Sequence, residues 1–350
     1  MRCVWFLFLL AGPACGDDGR TSTPVDASVA DRSLSDANVG DATADRSVND
    51  ADAATSDAME DSSDRVAPMG RSPAERGTFS VTVQRDTVER NGRVIPVAAH
   101  VSDAMAARPL LVLLPGFQVS SDRYTALADY VASHGFTVVR ADPPASLFDV
   151  SHVEMGEDTI AVLDWATANL TVSGEIAVAG HSLGGKVAVM AAGNDARIRA
   201  VFGIDPVNGG DPFLGYSARL PDIVPEVTST LTVPVGYLGE TTNGMGGGFQ
   251  MPCAPTDQNY ATFYEGSTAA SWATEWTYAG ADHFDFVPDV AGCGFVCAAC
   301  TEGTADAAAV VAATSTLLTA FLRHHLEADA AMETFLRGGS VPTDVSVRSR

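Results

Sequence analysis

A serine stands among closely spaced glycines in VAGHSLGGK, residues 178–186. A serine hydroxyl is a weak nucleophile at neutral pH, so it needs a base, a group that orients the base, and donors for an oxyanion. Gly180 and Gly184 suit this chemistry, because a sharp strand-to-helix turn leaves no room for bulky side chains beside the nucleophile. The pattern therefore predicts that Ser182 is a nucleophile. The alternative is a serine in an ordinary glycine-rich bend.

A histidine is the expected base, and the chain contains seven histidines. His283, in YAGADHFDF, comes just after a predicted strand. Active sites of open parallel sheets lie at the carboxyl ends of their strands, which is where this loop must be. We therefore predict that His283 is the base. A loop histidine with a structural role is the alternative.

The acid that orients the histidine has two candidates. Asp205 ends the predicted strand AVFGID, and Glu240 ends the next predicted strand, VPVGYLGE. A buried carboxylate at either place could hold the imidazole tautomer and stabilise the imidazolium. We predict Asp205 and keep Glu240 as the alternative.

Backbone amides are the expected donors for the oxyanion. The residue after a nucleophile of this kind supplies one amide, which here is that of Leu183. The second should come from the loop after the apolar run LLVLL, and Phe117 in PGFQ is the candidate.

Strands that alternate with helices must position these residues. PLLVLLPG, residues 109–116, is a continuous apolar run of the kind found in strands that are buried on both faces. Amphipathic helices separate it from similar runs further along the chain. The pattern predicts an α/β domain over residues 77–335, with a mostly parallel sheet covered by helices on both faces, and a C-terminal tail at 336–350.

The N-terminal part of the chain has a different character. Residues 1–15, MRCVWFLFLLAGPAC, have the pattern of a secretory signal, and Cys15 could become a lipidated first residue that anchors the protein to a membrane. Residues 16–76 form a predicted disordered acidic tether, and 16–64 alone contain twelve Asp and one Glu against three Arg. We expect an exported protein, either a cell-envelope lipoprotein or a secreted one.

Charge and cysteine content limit the possible partners. The net charge of −23 argues against nucleic acid, because phosphate binding needs a basic face. No cofactor is implied. In an oxidising compartment, cysteines that cluster late in the chain favour two disulfides over a metal site, with the pairing open. The candidates are Cys253, Cys293, Cys297 and Cys300.

GHSLGGK, GIDPVNG and GADHFDFVPD together resemble segments of the chlorophyllase family within the α/β-hydrolase superfamily. The resemblance covers about residues 80–330. It implies an α/β-hydrolase fold, with Ser182, Asp205 and His283 as a catalytic triad. The segment Pro115–Phe117 departs from the family, which usually has histidine before this glycine, and resembles bacterial cutinase-like and polyester hydrolases.

These observations predict a serine carboxylester hydrolase that acts on esters with a hydrophobic group. Apolar residues of the loop 207–228 support such a substrate, although packing within a lid is the alternative role for Phe213, Leu214 and Tyr216. Cutinase-like, polyester-hydrolase-like and lipase-like activities are alternatives within the same class. A catalytically silent surface-binding module is the alternative outside it.

Overall fold

One nine-stranded sheet organises the part of the chain that the structure describes. The structure is a computed structural model, and it describes residues 71–146, 149–211, 214–246, 250–291, 295–339 and 344–350. The predicted signal, Cys15 and most of the predicted tether lie outside the described residues, as do Phe213 and Cys293.

The strands follow the order β1-β2-β4-β3-β5-β6-β7-β8-β9 across the sheet. All neighbours from β4 to β8 pair in parallel, whereas β1, β2 and β9 join in antiparallel fashion. The strands are β1 (Val81–Arg90), β2 (Arg93–Ser102), β3 (Arg108–Leu114), β4 (Thr137–Ala141), β5 (Val172–His181), β6 (Ile198–Ile204), β7 (Val235–Glu240), β8 (Ala273–Tyr278) and β9 (Val345–Ser349).

Helices connect the parallel strands. They are α1 (Thr125–Ser133), α2 (His152–Asn169), α3 (Leu183–Asn194), α4 (Tyr260–Gly266), α5 (Phe295–Ala298), α6 (Ala307–Leu326) and α7 (Ala331–Thr334). By length and composition α6 could cross a membrane, but 67% of its apolar window is buried inside the domain, as expected of a core helix.

Strand β3 shows how the apolar runs create two layers of core. Leu111 and Leu113 pack on one face of the sheet in a cluster that includes α1 and α6. Leu110 and Val112 pack on the opposite face with residues of α2 and α3. Side chains alternate between the faces of a strand, so a run that is apolar at every position needs cover on both sides. This confirms the predicted α/β-hydrolase architecture.

The ends of the domain extend beyond the predicted limits of 77 and 335. Strand β9 lies within the predicted tail and pairs with β8, from Thr274 opposite Ser349 to Tyr278 opposite Val345. Its sequence, VSVRS, is short and half polar, which is typical of an edge strand and gives little signal. Residues 71–76, assigned to the tether from composition, also contact the domain, since Arg323 donates a hydrogen bond to the carbonyl of Arg71.

Candidate active site

Ser182 occupies a strained turn between β5 and α3. Its backbone has φ 53° and ψ −120°, a conformation that non-glycine residues rarely adopt. A Cβ on Gly184 would lie 2.5 Å from the carbonyl oxygens of Leu114 and Pro115, so only glycine fits there. The Ser182 amide donates to the carbonyl of Ile204 at 2.9 Å, and its carbonyl accepts from Gly185 at 3.0 Å. The turn is therefore fixed on both sides of the serine.

The structure brings together the three side chains that the sequence singled out. His283 Nε2 lies 2.9 Å from Ser182 Oγ, and His283 Nδ1 lies 2.5 Å from Asp205 Oδ2. The three residues follow β5, β6 and β8, whose carboxyl ends meet at one edge of the sheet. Ser182 and His283 are 101 positions apart in the chain, so this proximity is a product of the parallel topology.

Burial determines the protonation of this cluster. It lowers the pKa of His283 to about 4, although nearby Asp282 opposes the shift, so the imidazole is neutral at pH 7. Burial and, to a smaller extent, Asp282 raise the pKa of Asp205. A neutral imidazole has one N–H, and placing it on Nδ1 lets Asp205 accept it. Nε2 is then free to accept the hydroxyl proton of Ser182, which is the arrangement that a general base requires.

Glu240, the alternative acid, forms its hydrogen bonds elsewhere. Its carboxylate accepts the backbone N–H groups of Thr242 and Asn243, the latter at 2.8 Å. Burial, and secondly the charge of Asp205, raise the pKa of Glu240 to about 8. Glu240 therefore stabilises the turn after β7, and none of its hydrogen bonds in the described chain goes to the imidazole.

The two predicted oxyanion amides lie in segments that adjoin Ser182. Leu183 is the first residue of α3, and within the described chain its N–H has no acceptor. The same holds for the N–H of Phe117 among the described residues. A Cβ on Gly116 would lie 3.3 Å from Ser182 Cβ, so the loop after β3 packs directly against the serine. Gln118, the residue after Phe117, adopts φ 59°.

Exposed apolar side chains occupy the loops that follow β6 and β7. Leu214 and Met245 are 86% and 78% exposed, and Met251 is 45% exposed. Tyr216 is 41% exposed, and its ring packs 5.5 Å from Lys186 Nζ. The Tyr216 hydroxyl also donates to the Asn208 carbonyl in its own loop at 2.7 Å, so Tyr216 is partly packed, whereas Leu214 is open to solvent.

Four residues around the site were not identified from the sequence. Asn243 Oδ1 accepts the backbone N–H of His283 at 2.7 Å, and buried Lys186 donates to the Gly209 carbonyl at 2.7 Å. Tyr124 and His181 are linked by a hydrogen bond of 2.8 Å. Lys186 is the only lysine of the chain and ends the segment VAGHSLGGK around Ser182, so the sequence alone could have identified it as a residue near the site. The other three depend on tertiary contacts.

The cysteine-rich region contains disulfides. Cys253 and Cys300 form one, and Cys297 is disulfide-bonded as well. Cys293, the remaining candidate, lies outside the described residues. Within the described ranges, no group of three or more His, Cys, Asp or Glu side chains could hold a metal ion.

Comparison with known proteins assigns the family. The pattern of the family described as Chlorophyllase matches residues 72–344. The chain is 26% identical over 303 residues to Chlorophyllase-1 of Arabidopsis thaliana, which covers 78% of this chain and 90% of that protein. It is 27% identical over 274 residues to the chloroplastic Chlorophyllase-1 of Citrus unshiu, which covers 74% and 72%. The match spans β1 to α7 together with the site residues, and the chain therefore belongs to the chlorophyllase family, an α/β-hydrolase family of carboxylic ester hydrolases.

Proposed function

We propose that this protein hydrolyses carboxylic esters through a triad of Ser182, His283 and Asp205. The observation that carries the proposal is the pair of hydrogen-bond distances at His283, 2.9 Å to Ser182 Oγ and 2.5 Å to Asp205 Oδ2. A nucleophile, a base and an orienting acid in contact are the arrangement that acyl transfer through serine needs.

The reaction follows from the hydrogen bonds. His283 Nε2 takes the hydroxyl proton of Ser182 while Oγ attacks the ester carbonyl. The N–H groups of Leu183 and Phe117 hold the oxyanion of the tetrahedral intermediate, and each such donor is worth about 3 kcal/mol in related enzymes. The imidazolium, stabilised by Asp205, gives its proton to the leaving alcohol as the C–O bond breaks. Water then attacks the acyl-enzyme by the same steps and releases the acid.

The substrate that we propose is an ester with a large hydrophobic group, as in chlorophyll. Support comes from the relatives, which are named chlorophyllases, and from the exposed Leu214, Met245 and Met251 on the loops after β6 and β7. Large apolar side chains that are exposed on loops at the carboxyl ends of the strands are candidates for contact with an apolar ligand. Pro115–Phe117 favours a second candidate within the class, a cutinase-like activity on polyesters, since this segment departs from the chlorophyllase pattern.

Covalent labelling tests the nucleophile. A fluorophosphonate should modify wild-type protein at Ser182, with the adduct identified by peptide mass spectrometry, and Ser182→Ala should remain unlabelled. Folded wild-type protein that acquires no adduct on Ser182 would overturn the proposal and favour a silent binding module.

Comparison of esters tests the substrate class. A chain-length series of p-nitrophenyl esters, assayed beside chlorophyll and a polyester film, separates the candidates. Preference for long chains and turnover of chlorophyll would support the first, and release of monomers from the film would support the second.

Export and membrane anchoring through Cys15 remain part of the proposal on sequence grounds alone. Such an anchor would place the esterase in the cell envelope, whereas ordinary signal cleavage after Ala14 without lipidation of Cys15 would release it.

A further inference from the structure

Two buried side chains, His181 and Tyr124, contact the loop after β3 and the loop of His283 while remaining outside the proposed chemistry. His181 precedes the nucleophile at the end of β5, and Tyr124 ends the turn before α1. Both are 0% exposed. A Cβ on Gly116, in the oxyanion loop, would lie 3.0 Å from His181 Nδ1. The rings of His181 and His283 are 4.7 Å apart between centroids.

The hydrogen bonds of the pair have only one consistent set of directions. His181 Nε2 lies 2.9 Å from the His283 carbonyl oxygen, which can only accept, so Nε2 carries the hydrogen. Nδ1 of the neutral ring must then accept, and Tyr124 donates to it over 2.8 Å. The Tyr124 oxygen in turn accepts the N–H of Gly116 at 3.3 Å.

The ring of His181 stays neutral near pH 7. The donors and acceptors in this series of hydrogen bonds therefore keep the directions given above. Burial and the neighbouring His283 hold the pKa of His181 well below its usual value. Burial also raises the pKa of Tyr124. Three hydrogen bonds, from Gly116 to Tyr124, from Tyr124 to His181 and from His181 to His283, therefore form a fixed link between the loop after β3 and the backbone of His283.

We propose that Tyr124 and His181 are positioning residues that hold the oxyanion loop and the catalytic base in register across Ser182. The inference rests on the proposed function. The backbone of His283 is held from two sides, since Asn243 Oδ1 accepts its N–H at 2.7 Å and His181 donates to its carbonyl. On the other side of the serine, the bond from Gly116 to Tyr124 holds the Pro115–Gly116 peptide, which directly precedes the peptide that carries the Phe117 N–H.

Isosteric variants separate positioning from simple filling of the core. Tyr124→Phe removes only the hydroxyl, and it releases the Gly116 end of the chain. The amide of asparagine occupies the place of Nδ1, so His181→Asn keeps an acceptor for Tyr124 but loses the donor to His283. The amide of glutamine occupies the place of Nε2, so His181→Gln keeps that donor. Tyr237→Phe is the matched control, because Tyr237 is equally buried and its hydroxyl pairs with Ser267 at 3.0 Å, in a contact outside the site.

We expect Tyr124→Phe and His181→Asn to lower kcat on a p-nitrophenyl ester by about 10- to 100-fold with little change in KM, because small misplacements of reacting groups have effects of this size. Fluorophosphonate labelling should slow by a similar factor. His181→Gln should retain more activity than His181→Asn, and Tyr237→Phe should match wild type. In the double variant Tyr124→Phe/His181→Asn, the loss should be close to that of the worse single variant, because either change interrupts the same chain.

A second readout does not depend on turnover. The proton between His283 and Asp205 should give a strongly downfield NMR resonance that shifts or broadens in His181→Asn and is unchanged in Tyr237→Phe. Wild-type kcat and an unchanged resonance in folded Tyr124→Phe and His181→Asn would overturn the inference, as would losses that multiply in the double variant. If His181→Asn fails to fold, Tyr124→Phe and His181→Gln carry the test. Failure of wild type to label at Ser182 would instead refute the proposed function, so the two failures are distinguishable.

Discussion

At the scale of single residues, two carboxyl groups lie near the imidazole but have different surroundings. Asp205 contacts His283 directly, and its second oxygen, Oδ1, has no partner within the described structure. Glu240 follows the next strand and is engaged with backbone amides. The two positions are adjacent on the sheet, which explains why their sequence positions alone could not decide between them.

Substitution of each carboxylate distinguishes the two roles. Asp205→Asn should lower kcat by about 10⁴-fold, because the amide favours the wrong imidazole tautomer and cannot stabilise the imidazolium. Glu240→Gln should stay within about 5-fold of wild type, since its side-chain oxygen still accepts an N–H and a raised pKa already makes the carboxyl largely neutral near pH 7. Steady-state kinetics on a p-nitrophenyl ester measures both. The reverse ranking would assign the acid to Glu240.

Lys186 is buried in α3, directly after the turn that holds Ser182, and its pKa is far from the ordinary value of a lysine. Burial lowers its pKa to about 7, against the weaker influence of Asp222. A lysine in the unfolded chain has a pKa of about 10.4. Between about pH 7 and that value, the unfolded chain binds a proton that the folded chain does not, so the free energy of unfolding must rise with pH. The chain has no other lysine, and tyrosines ionise only at about pH 10, so this one side chain dominates the effect between about pH 8 and pH 9.

Alkaline stability tests this assignment. From pH 8 to pH 9, below the range in which tyrosines of the unfolded chain ionise, the wild-type free energy of unfolding should rise by about 1.4 kcal/mol per pH unit, the value for one proton. Lys186→Met should remove this slope, because methionine has similar length and no titrating group. Guanidinium denaturation at pH 8, 8.5 and 9 gives the slopes. Equal slopes in both proteins would show that Lys186 titrates normally.

Local pattern was sufficient to locate Ser182, His283 and their flanking strands, because glycine spacing and strand ends are properties of short segments. It could not locate Asn243 or Tyr124. Their hydrogen bonds reach 40 and 57 positions along the chain, to His283 and His181. Nothing in the neighbouring residues of either one encodes such a contact.

At the scale of elements, the regular apolar runs predicted most of the sheet and its covering helices. The short helix α4 and the edge strand β9 were missed, since seven and five residues are too few to show a clear period. Two segments brace the loop of His283: the loop after β7, in which Asn243 accepts the His283 N–H, and residues 299–304, in which Gly303 donates to Asp282 Oδ2. Neither segment has a regular apolar pattern. Met251 and Cys300 pair across them in an isolated bridge, and the Cys253–Cys300 disulfide joins them covalently.

Removal of the Cys253–Cys300 disulfide should make the two segments beside His283 less well held. The bonded cysteines are 47 positions apart, and closing a loop of this length stabilises a protein by about 4 kcal/mol in the chain-entropy model. The variant Cys253→Ser/Cys300→Ser should therefore melt at a lower temperature, with reduced kcat because Asn243, which accepts the His283 N–H, also donates to the carbonyl of Thr301 beside Cys300. Calorimetry and ester kinetics measure the two effects. An unchanged melting temperature would contradict this role.

At the scale of the whole molecule, the domain begins earlier than the predicted boundary at residue 77, since residues from 71 onward are bonded to it. Residues 71–79 bond to the domain at several points: Tyr130 donates to the Pro73 carbonyl at 2.7 Å, and Gly77 donates to Ser133 Oγ at 2.9 Å. Phe79 bonds to the Ser133 carbonyl at 3.0 Å. Composition suggested a tether up to residue 76 because these contacts are made by backbone atoms.

Two truncated chains test the boundary. The chain 71–350 should keep the melting temperature and esterase activity of the full chain. The chain 80–350 loses these hydrogen bonds and should melt roughly 5 °C lower, as expected for a loss of about 2 kcal/mol in a domain of this size. Loss of activity in 71–350 would show that the acidic segment contributes to the site.

The order of strands protects the three residues of the proposed triad unequally. Ser182 and Asp205 follow strands with several neighbours on each flank, whereas only β9 separates β8, which precedes His283, from the border of the sheet. Heating that detaches β9 first would disturb the proton acceptor while the alcohol and the carboxylate stay in place. A warmed sample would then lose turnover while its circular dichroism spectrum still resembles that of the intact protein.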